Sequence, residues 1–184
     1  MLFRSDLNYV SQPGAISPYL ALLASLFLHG GLLHLGGNML YLWIFGNNVE
    51  AVLGSMRYAV FYVVCGVLAA VGQAGVTLVI WPEDIGVPMI GASGAVAGVL
   101  GAYLVRFPSA RVRTFLTLGF FWSTVRLPAW FVLGAWFALQ FAQAVLGFAS
   151  DDAGGVATWA HVVGFIAGAI LVRLVAPPRR KPAW

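Results

Sequence analysis

The sequence has few charged residues, and its acidic residues avoid the apolar segments. Only 9% of the 184 residues are charged, whereas 61% are hydrophobic, and the mean hydropathy is +0.90. Soluble domains carry about 25% charged residues, so this composition excludes a soluble fold. The six acidic residues all lie outside the long apolar runs: Asp6, Glu50, Glu83, Asp84, Asp151 and Asp152. Chemistry within the membrane would therefore have to proceed without a carboxylate.

The sequence has one cysteine and no continuous basic patch. The one cysteine, Cys65, lies in an apolar run, so no disulfide framework can form and we expect a structural role for it. The net charge is +4, but the ten Lys and Arg residues are divided among short loops and the tail. This distribution does not favour nucleic acid as a partner.

Long apolar runs fill most of the chain and predict an all-α, polytopic membrane helical bundle in a single domain, residues 1–184. About five transmembrane helices are expected, at about 32–46, 58–80, 91–106, 129–148 and 159–176. Residues 1–31 are expected to form an outer or re-entrant segment, and residues 177–184 a basic tail. The apolar segment Thr114–Val125 is too short to cross a hydrocarbon core of about 30 Å, so we expect it at the interface.

The charges of the loops predict the orientation. Basic residues cluster after the third helix and at the C-terminus: Arg106, Arg111, Arg113 and Arg126, then Arg179, Arg180 and Lys181. The positive-inside rule places both segments in the cytoplasm, and the loops with paired acidic residues fall on the other side. We therefore expect a multi-pass protein of a bacterial plasma membrane with a cytoplasmic C-terminus.

Ser93 begins the third helix, in a segment rich in glycine and alanine. A helix from Ser93 to Arg106 rises about 20 Å, which is less than the hydrocarbon thickness. If Arg106 marks the cytoplasmic interface, Ser93 lies about 10 Å below the outer surface, in protein or in a water-filled cavity. The unpaired N–H groups at that helix end favour a developing anion, as in catalysis. The alternative is a small-residue packing face to which the serine contributes one hydrogen bond.

His161 lies near the start of the fifth helix, on the same predicted side of the membrane. Gly164 and Gly168 on that helix form a Gly-x-x-x-Gly pattern, which favours close packing on the glycine-rich third helix. A histidine beside a serine can act as its general base. The alternative is an inert histidine with a hydrogen bond at the interface.

His34 and Asn38 are four residues apart and share one helix face. Both can donate hydrogen bonds, either to a substrate oxyanion or to a neighbouring helix as packing contacts. His29 lies off that face, and we expect a structural role for it. A metal site built from the three histidines would lack a carboxylate or thiolate, so neither a metal nor another cofactor is expected.

These residues fall into three blocks whose order resembles the rhomboid family of intramembrane serine proteases. The blocks are His29–His34 with Asn38–Met39, then Gly91–Gly94, then Ala160–Gly164 with Gly168. The resemblance implies a rhomboid-like fold without a cofactor, with Ser93 as the nucleophile and His161 as the general base. It further implies an oxyanion hole formed by His34, Asn38 and the Ser93 N–H, with the Gly91 backbone as another donor. Gly94, Gly164 and Gly168, like His29, would support the site structurally.

The chain departs from the family pattern at two places. The family core has one more helix before the first block, and we expect that helix to be missing here. Either the chain is a fragment, its start is misplaced, or a second chain supplies the helix. Some members carry a tyrosine four residues after the serine that stacks on the histidine, but here that residue is Ala97, and Tyr103 is the aromatic candidate further along. A Ser-His-Asp triad uses an acid to orient the histidine. Because these helices contain none, packing and neutral hydrogen bonds must hold His161.

The sequence favours an integral-membrane serine endopeptidase that cleaves transmembrane or membrane-proximal segments of membrane proteins. Its partners would be those substrates and the lipid bilayer. Residues 151–158 are expected to form a cap over the site, and Trp136 and Phe137 to border the path of the substrate. The alternatives are a catalytically inactive rhomboid-like adaptor that binds transmembrane helices and a small transporter or channel subunit.

Overall fold

The computed structural model describes residues 17–82, 84, 91–118, 121–147 and 158–178, and it is mainly helical. The helices are α1 (Pro18–Ser25), α2 (Leu32–Tyr41), α3 (Asn47–Leu53), α4 (Ser55–Ile80), α5 (Ser93–Arg106), α6 (Ala129–Leu146) and α7 (Thr158–Val175). A π-helical turn, Leu42–Gly46, joins α2 to α3, and strands β1 (Arg111–Leu118) and β2 (Phe121–Pro128) lie between α5 and α6. The predicted polytopic helical bundle is confirmed.

In the described part of the chain, α4, α6 and α7 are each long and apolar enough to cross a membrane. Helix α5 is shorter and lies at the centre of the bundle, where every residue from Gly94 to Tyr103 is buried. The core around it includes the following buried side chains: Phe45, Val49, Leu53, Phe61, Cys65, Leu133, Phe165 and Val172. The protein is therefore an integral membrane protein in which the 14-residue helix α5 is covered by longer helices.

The first expected helix is longer in the structure than the sequence indicates. It was predicted to end at residue 46, but the helical run continues through α3 to Leu53. The polar residues that follow Gly46 end the apolar pattern without ending the helix. The run stops at Gly54, whose φ of 80° is favourable only for glycine, and α4 starts at the next residue.

The apolar segment expected at the interface is part of a β-hairpin. Strands β1 and β2 pair antiparallel, with Val112 opposite Leu127 and Arg113 opposite Arg126. The base of the hairpin is joined to α6, because the N–H of Ala129 donates to the carbonyl of Ala110 over 2.8 Å. Cross-strand pairing satisfies the backbone polar groups of a segment that is too short to span the membrane.

The C-terminal ends of α5 and α7 lie together at one end of the bundle. The guanidinium of Arg106, at the end of α5, donates to the carbonyl of Pro177, just after α7, over 3.3 Å. Ser93 and His161 lie near the opposite ends of these two helices. The fold therefore separates the basic end from the end that carries the predicted site.

Candidate active site

Ser93 is the first residue of α5, and a tight backbone connection precedes it. Gly91 has φ +140°, a conformation that other residues rarely adopt, and its N–H donates to the carbonyl of Ser25 over 3.1 Å. The first backbone hydrogen bond of the helix runs from the Val96 N–H to the Ala92 carbonyl. The N–H of Ser93 therefore has no partner within the helix and can bind an anion.

Helix α7 brings His161 to the serine. The hydroxyl oxygen of Ser93 lies 2.8 Å from Nε2 of His161, which is a hydrogen-bond distance. Glycines make this approach of the two helices feasible. A Cβ built on Gly164 would overlap the carbonyl group of Gly94, and one built on Gly168 would overlap the backbone of Gly98.

The other ring nitrogen of His161 is held by α6. Nδ1 lies 2.5 Å from the amide oxygen of Gln140, and the ring of Trp136 has its centroid 6.0 Å from that of His161. These contacts fit the expectation that packing and neutral hydrogen bonds hold the histidine. Tyr103 packs instead in the core, edge-on to Phe45. The sequence singled out no partner for the ring, although a glutamine in an apolar helix is a costly residue and hence a signal.

A second glutamine fixes the start of α7. The amide oxygen of Gln73, on α4, accepts a hydrogen bond from the N–H of Ala160 over 3.1 Å. Its amide nitrogen donates to the hydroxyl of Thr77. Gln73 therefore ties the residue before His161 to the longest helix of the bundle.

His34 lies beside Gly91, close to Ser93. Its Nδ1 accepts a hydrogen bond from the N–H of Gly30 over 3.4 Å, so in the neutral ring the proton is on Nε2. A Cβ built on Gly91 would lie 3.2 Å from that Nε2 and 3.5 Å from the Ser93 hydroxyl oxygen. The missing side chain of Gly91 therefore leaves a small space that a donor and a hydroxyl both border.

His29 and Asn38 lie on either side of His34 in the sequence. Asn38 is 7% exposed, and its amide nitrogen has no hydrogen-bond partner among the described residues. A buried donor without a partner is costly, so it is a candidate for binding an acceptor that arrives with a ligand. His29 packs edge-on to His34, with ring centroids 5.3 Å apart, and its Nδ1 lies 3.2 Å from the Phe27 carbonyl.

Four further expectations concern the surroundings of the dyad. The Gly91 N–H is engaged with Ser25, so it is not free to serve as an oxyanion donor. The expected cap, residues 151–158, lies almost wholly outside the described residues. In the described part of the chain, no three His, Cys, Asp or Glu side chains are grouped as a metal site requires. Phe137 stacks on Phe165 and so belongs to the contact between α6 and α7.

A family model described as the Rhomboid domain matches residues 17–178, which includes every residue of the candidate site. The chain belongs to the rhomboid family. Among curated rhomboid relatives, it is 37% identical over 98 residues to "Rhomboid protease GluP" of Bacillus subtilis. That alignment covers 53% of this chain and 18% of the relative.

Mitochondrial rhomboids are similar as well. The chain is 30% identical over 105 residues to "Rhomboid protein 1, mitochondrial" of Saccharomyces cerevisiae, covering 57% of this chain and 30% of the relative. It is 29% identical over 121 residues to "Presenilin-associated rhomboid-like protein, mitochondrial" of Homo sapiens, covering 60% of this chain and 29% of the relative. The chain thus spans less than a third of the length of these three rhomboids. No solved structure matches it significantly.

Proposed function

We propose that this rhomboid is an intramembrane serine endopeptidase that acts through a Ser-His dyad. The observation that supports the proposal most strongly is the distance of 2.8 Å between the Ser93 hydroxyl oxygen and His161 Nε2. A nucleophile within hydrogen-bond reach of a base that is itself oriented by a third group is the arrangement that activates a serine. The similarity to a relative named a protease points the same way.

The chemistry would proceed by acyl transfer. The Ser93 oxygen attacks the scissile carbonyl carbon while His161 Nε2 accepts the hydroxyl proton. The tetrahedral intermediate then collapses, and His161 returns that proton to the nitrogen of the leaving amine. Water, activated by the same nitrogen, attacks the acyl-enzyme and releases the second product, which regenerates the serine.

The negative charge of the tetrahedral intermediate would be stabilised by neutral donors. These are the backbone N–H of Ser93, Nε2–H of His34 and the amide nitrogen of Asn38. Such donors are most effective when they are positioned before the reaction and shielded from bulk water. The buried amide of Asn38 and the proton placement on His34 fit this requirement.

The substrates would be transmembrane or membrane-proximal segments of membrane proteins. Ser93 begins a helix of only 14 residues, so it lies below the membrane surface when the basic end of that helix is at the cytoplasmic interface. A peptide bond must leave its helix to reach the serine, which favours substrates with small or helix-destabilising residues near the bond. The basic segments near Arg106 and Pro177 would face the cytoplasm of a bacterial plasma membrane.

Labelling with a fluorophosphonate tests the proposal directly. Purified wild-type protein should be labelled and should cleave a transmembrane peptide, whereas Ser93→Ala should do neither. His161→Ala should lower both rates by a factor of about 10² to 10⁴, since it removes the general base. Ser55→Ala, which changes an exposed serine at the other end of the bundle, should behave as wild type.

Thermal unfolding should show that each variant is folded. Folded wild-type protein that shows no Ser93-dependent label or cleavage would overturn the protease proposal. If that protein still bound the transmembrane peptide, an adaptor function would replace it.

A further inference from the structure

Four side chains from three helices form one continuous chain of hydrogen bonds that ends at the serine. On α6, the amide nitrogen of Gln140 donates to the amide oxygen of Gln143 over 3.2 Å. The amide oxygen of Gln140 lies 2.5 Å from Nδ1 of His161 on α7, and Nε2 of that ring lies 2.8 Å from the Ser93 hydroxyl on α5. Only the last of these contacts belongs to the dyad.

The chemistry of the groups fixes the direction of each bond. A glutamine amide has one accepting end and one donating end. Because the nitrogen end of Gln140 faces Gln143, its oxygen end faces His161, and an amide oxygen can only accept. Nδ1 of His161 must therefore carry the proton, which leaves Nε2 of the neutral ring with a lone pair toward Ser93.

The opposite orientation of the Gln140 amide would have the opposite result. Its nitrogen end would then donate to Nδ1, the ring proton would move to Nε2, and the ring would donate to the serine instead of accepting its proton. A histidine held in the wrong tautomer loses most of its activity as a base. The choice between the two tautomers therefore depends on a single side chain of α6.

We propose that Gln140 is a positioning residue that holds His161 in the tautomer competent to act as a base. The inference rests on the proposed function, because it assigns to Gln140 the orienting role that a carboxylate has in a Ser-His-Asp triad. A neutral amide suits this place in the fold, since a buried amide costs far less free energy within a membrane than an ionised carboxylate. As the imidazolium forms, the amide oxygen also stabilises its Nδ1–H.

The position of Gln140 on α6 favours this role. Trp136, one turn earlier on α6, packs beside the His161 ring, and Ala144, one turn later, is 1% exposed. The face of α6 that carries Gln140 is therefore in contact with the bundle. A shorter side chain at position 140 would leave its acceptor about 1.5 Å further from the ring, beyond hydrogen-bond reach.

Three variants test the role. Gln140→Met preserves the length of the side chain but removes the acceptor, and it should lower kcat and the rate of fluorophosphonate labelling about ten- to a hundredfold. KM should stay within about twofold of wild type, because no contact with substrate is lost. Gln140→Glu keeps an accepting oxygen and should recover most of the rate. Leu139→Met introduces the same side chain one residue earlier, at an exposed site, and should leave all values unchanged.

Nitrogen-15 NMR of the histidine side chains provides a readout that does not depend on turnover. Wild-type protein and Gln140→Glu should show His161 protonated on Nδ1, whereas Gln140→Met should show a mixture of tautomers or the Nε2–H form. A His161 tautomer that is the same in wild type and Gln140→Met would overturn the inference, whatever the activity. So would a kcat for Gln140→Met equal to that of wild type.

The two proposals fail differently. Wild-type protein without Ser93-dependent labelling would overturn the proposed function, and the nitrogen spectra would still decide whether Gln140 sets the tautomer. Ser93-dependent labelling with no effect of Gln140→Met would overturn only the role of Gln140.

Discussion

The contact between α5 and α7 couples the packing of the bundle to the geometry of the dyad, and Gly164→Ala tests that coupling. Gly164 is three residues after His161, and it faces the carbonyl group of Gly94, the residue after Ser93. A methyl group at position 164 would overlap that carbonyl. The new methyl group would meet backbone atoms of α5 and not a flexible side chain that could move aside. The two helices must therefore separate or tilt.

The size of the effect follows from the contact. To bring the new methyl group to an ordinary contact of 3.4 Å, the two backbones must separate locally by more than about 1 Å. Overpacking of this kind costs about 1–3 kcal/mol of stability. A similar displacement at the dyad would lengthen the 2.8 Å hydrogen bond between Ser93 and His161 beyond 3.5 Å. A misplacement of about 1 Å lowers rates by a factor of about 10².

The assay compares Gly164→Ala with Gly134→Ala in detergent micelles. Among the described residues, no atom outside the surrounding helical turns lies within 4 Å of a Cβ built on Gly134, in the interior of α6. Alanine there should therefore be neutral or slightly stabilising. Thermal unfolding measures stability, and the rate of fluorophosphonate labelling measures the dyad. If Gly164→Ala unfolds and labels as wild type does, the close backbone contact does not set the geometry of the site.

Two further substitutions test the proposed roles of Asn38 and Gln73. Asn38→Leu removes a buried amide whose nitrogen has no partner in the described part of the chain, so the free energy of unfolding should change by less than about 1 kcal/mol. Its kcat should nevertheless fall about 10²-fold in the peptide cleavage assay, and an unchanged kcat would exclude Asn38 from the oxyanion hole. Gln73→Met leaves the buried N–H of Ala160 without its acceptor and should lower stability by about 1–3 kcal/mol in chemical unfolding. Gln73→Glu keeps an acceptor and should be less affected, so equal losses in the two variants would contradict this role.

Hydropathy predicted the bundle well but predicted its irregular parts poorly. The helix ends of α4, α6 and α7 lie within about three residues of their expected positions, because lipid requires long uninterrupted apolar runs. The helix that starts at Leu32 continues past its apolar part to Leu53, since polar residues outside the membrane can remain helical. The hairpin of β1 and β2 depends on cross-strand pairing, a non-local contact that hydropathy does not report.

In the candidate site, too, the sequence predicted individual residues but not the contacts between them. Ser93, His161, His34 and Asn38 were expected to be functional because polar groups in apolar segments are costly to keep there. The same reasoning applies to Gln140, a polar residue in an apolar helix, but it cannot connect Gln140 to His161, 21 residues later in the chain. It also could not foresee that the N–H of Gly91 would bond to Ser25.

By itself, the sequence determined that this protein lies in a membrane and which polar side chains are available within its apolar segments. Few charges and long apolar runs require a membrane, and the absence of acids from those runs leaves serine, histidine and amides to do any chemistry. Only the tertiary structure decided which of these groups meet. The meeting of Ser93 with His161 depends on glycines that let two helices touch backbone to backbone, and that of His161 with Gln140 depends on how a third helix packs against them. Such contacts join residues far apart in the chain, so composition and periodicity do not encode them.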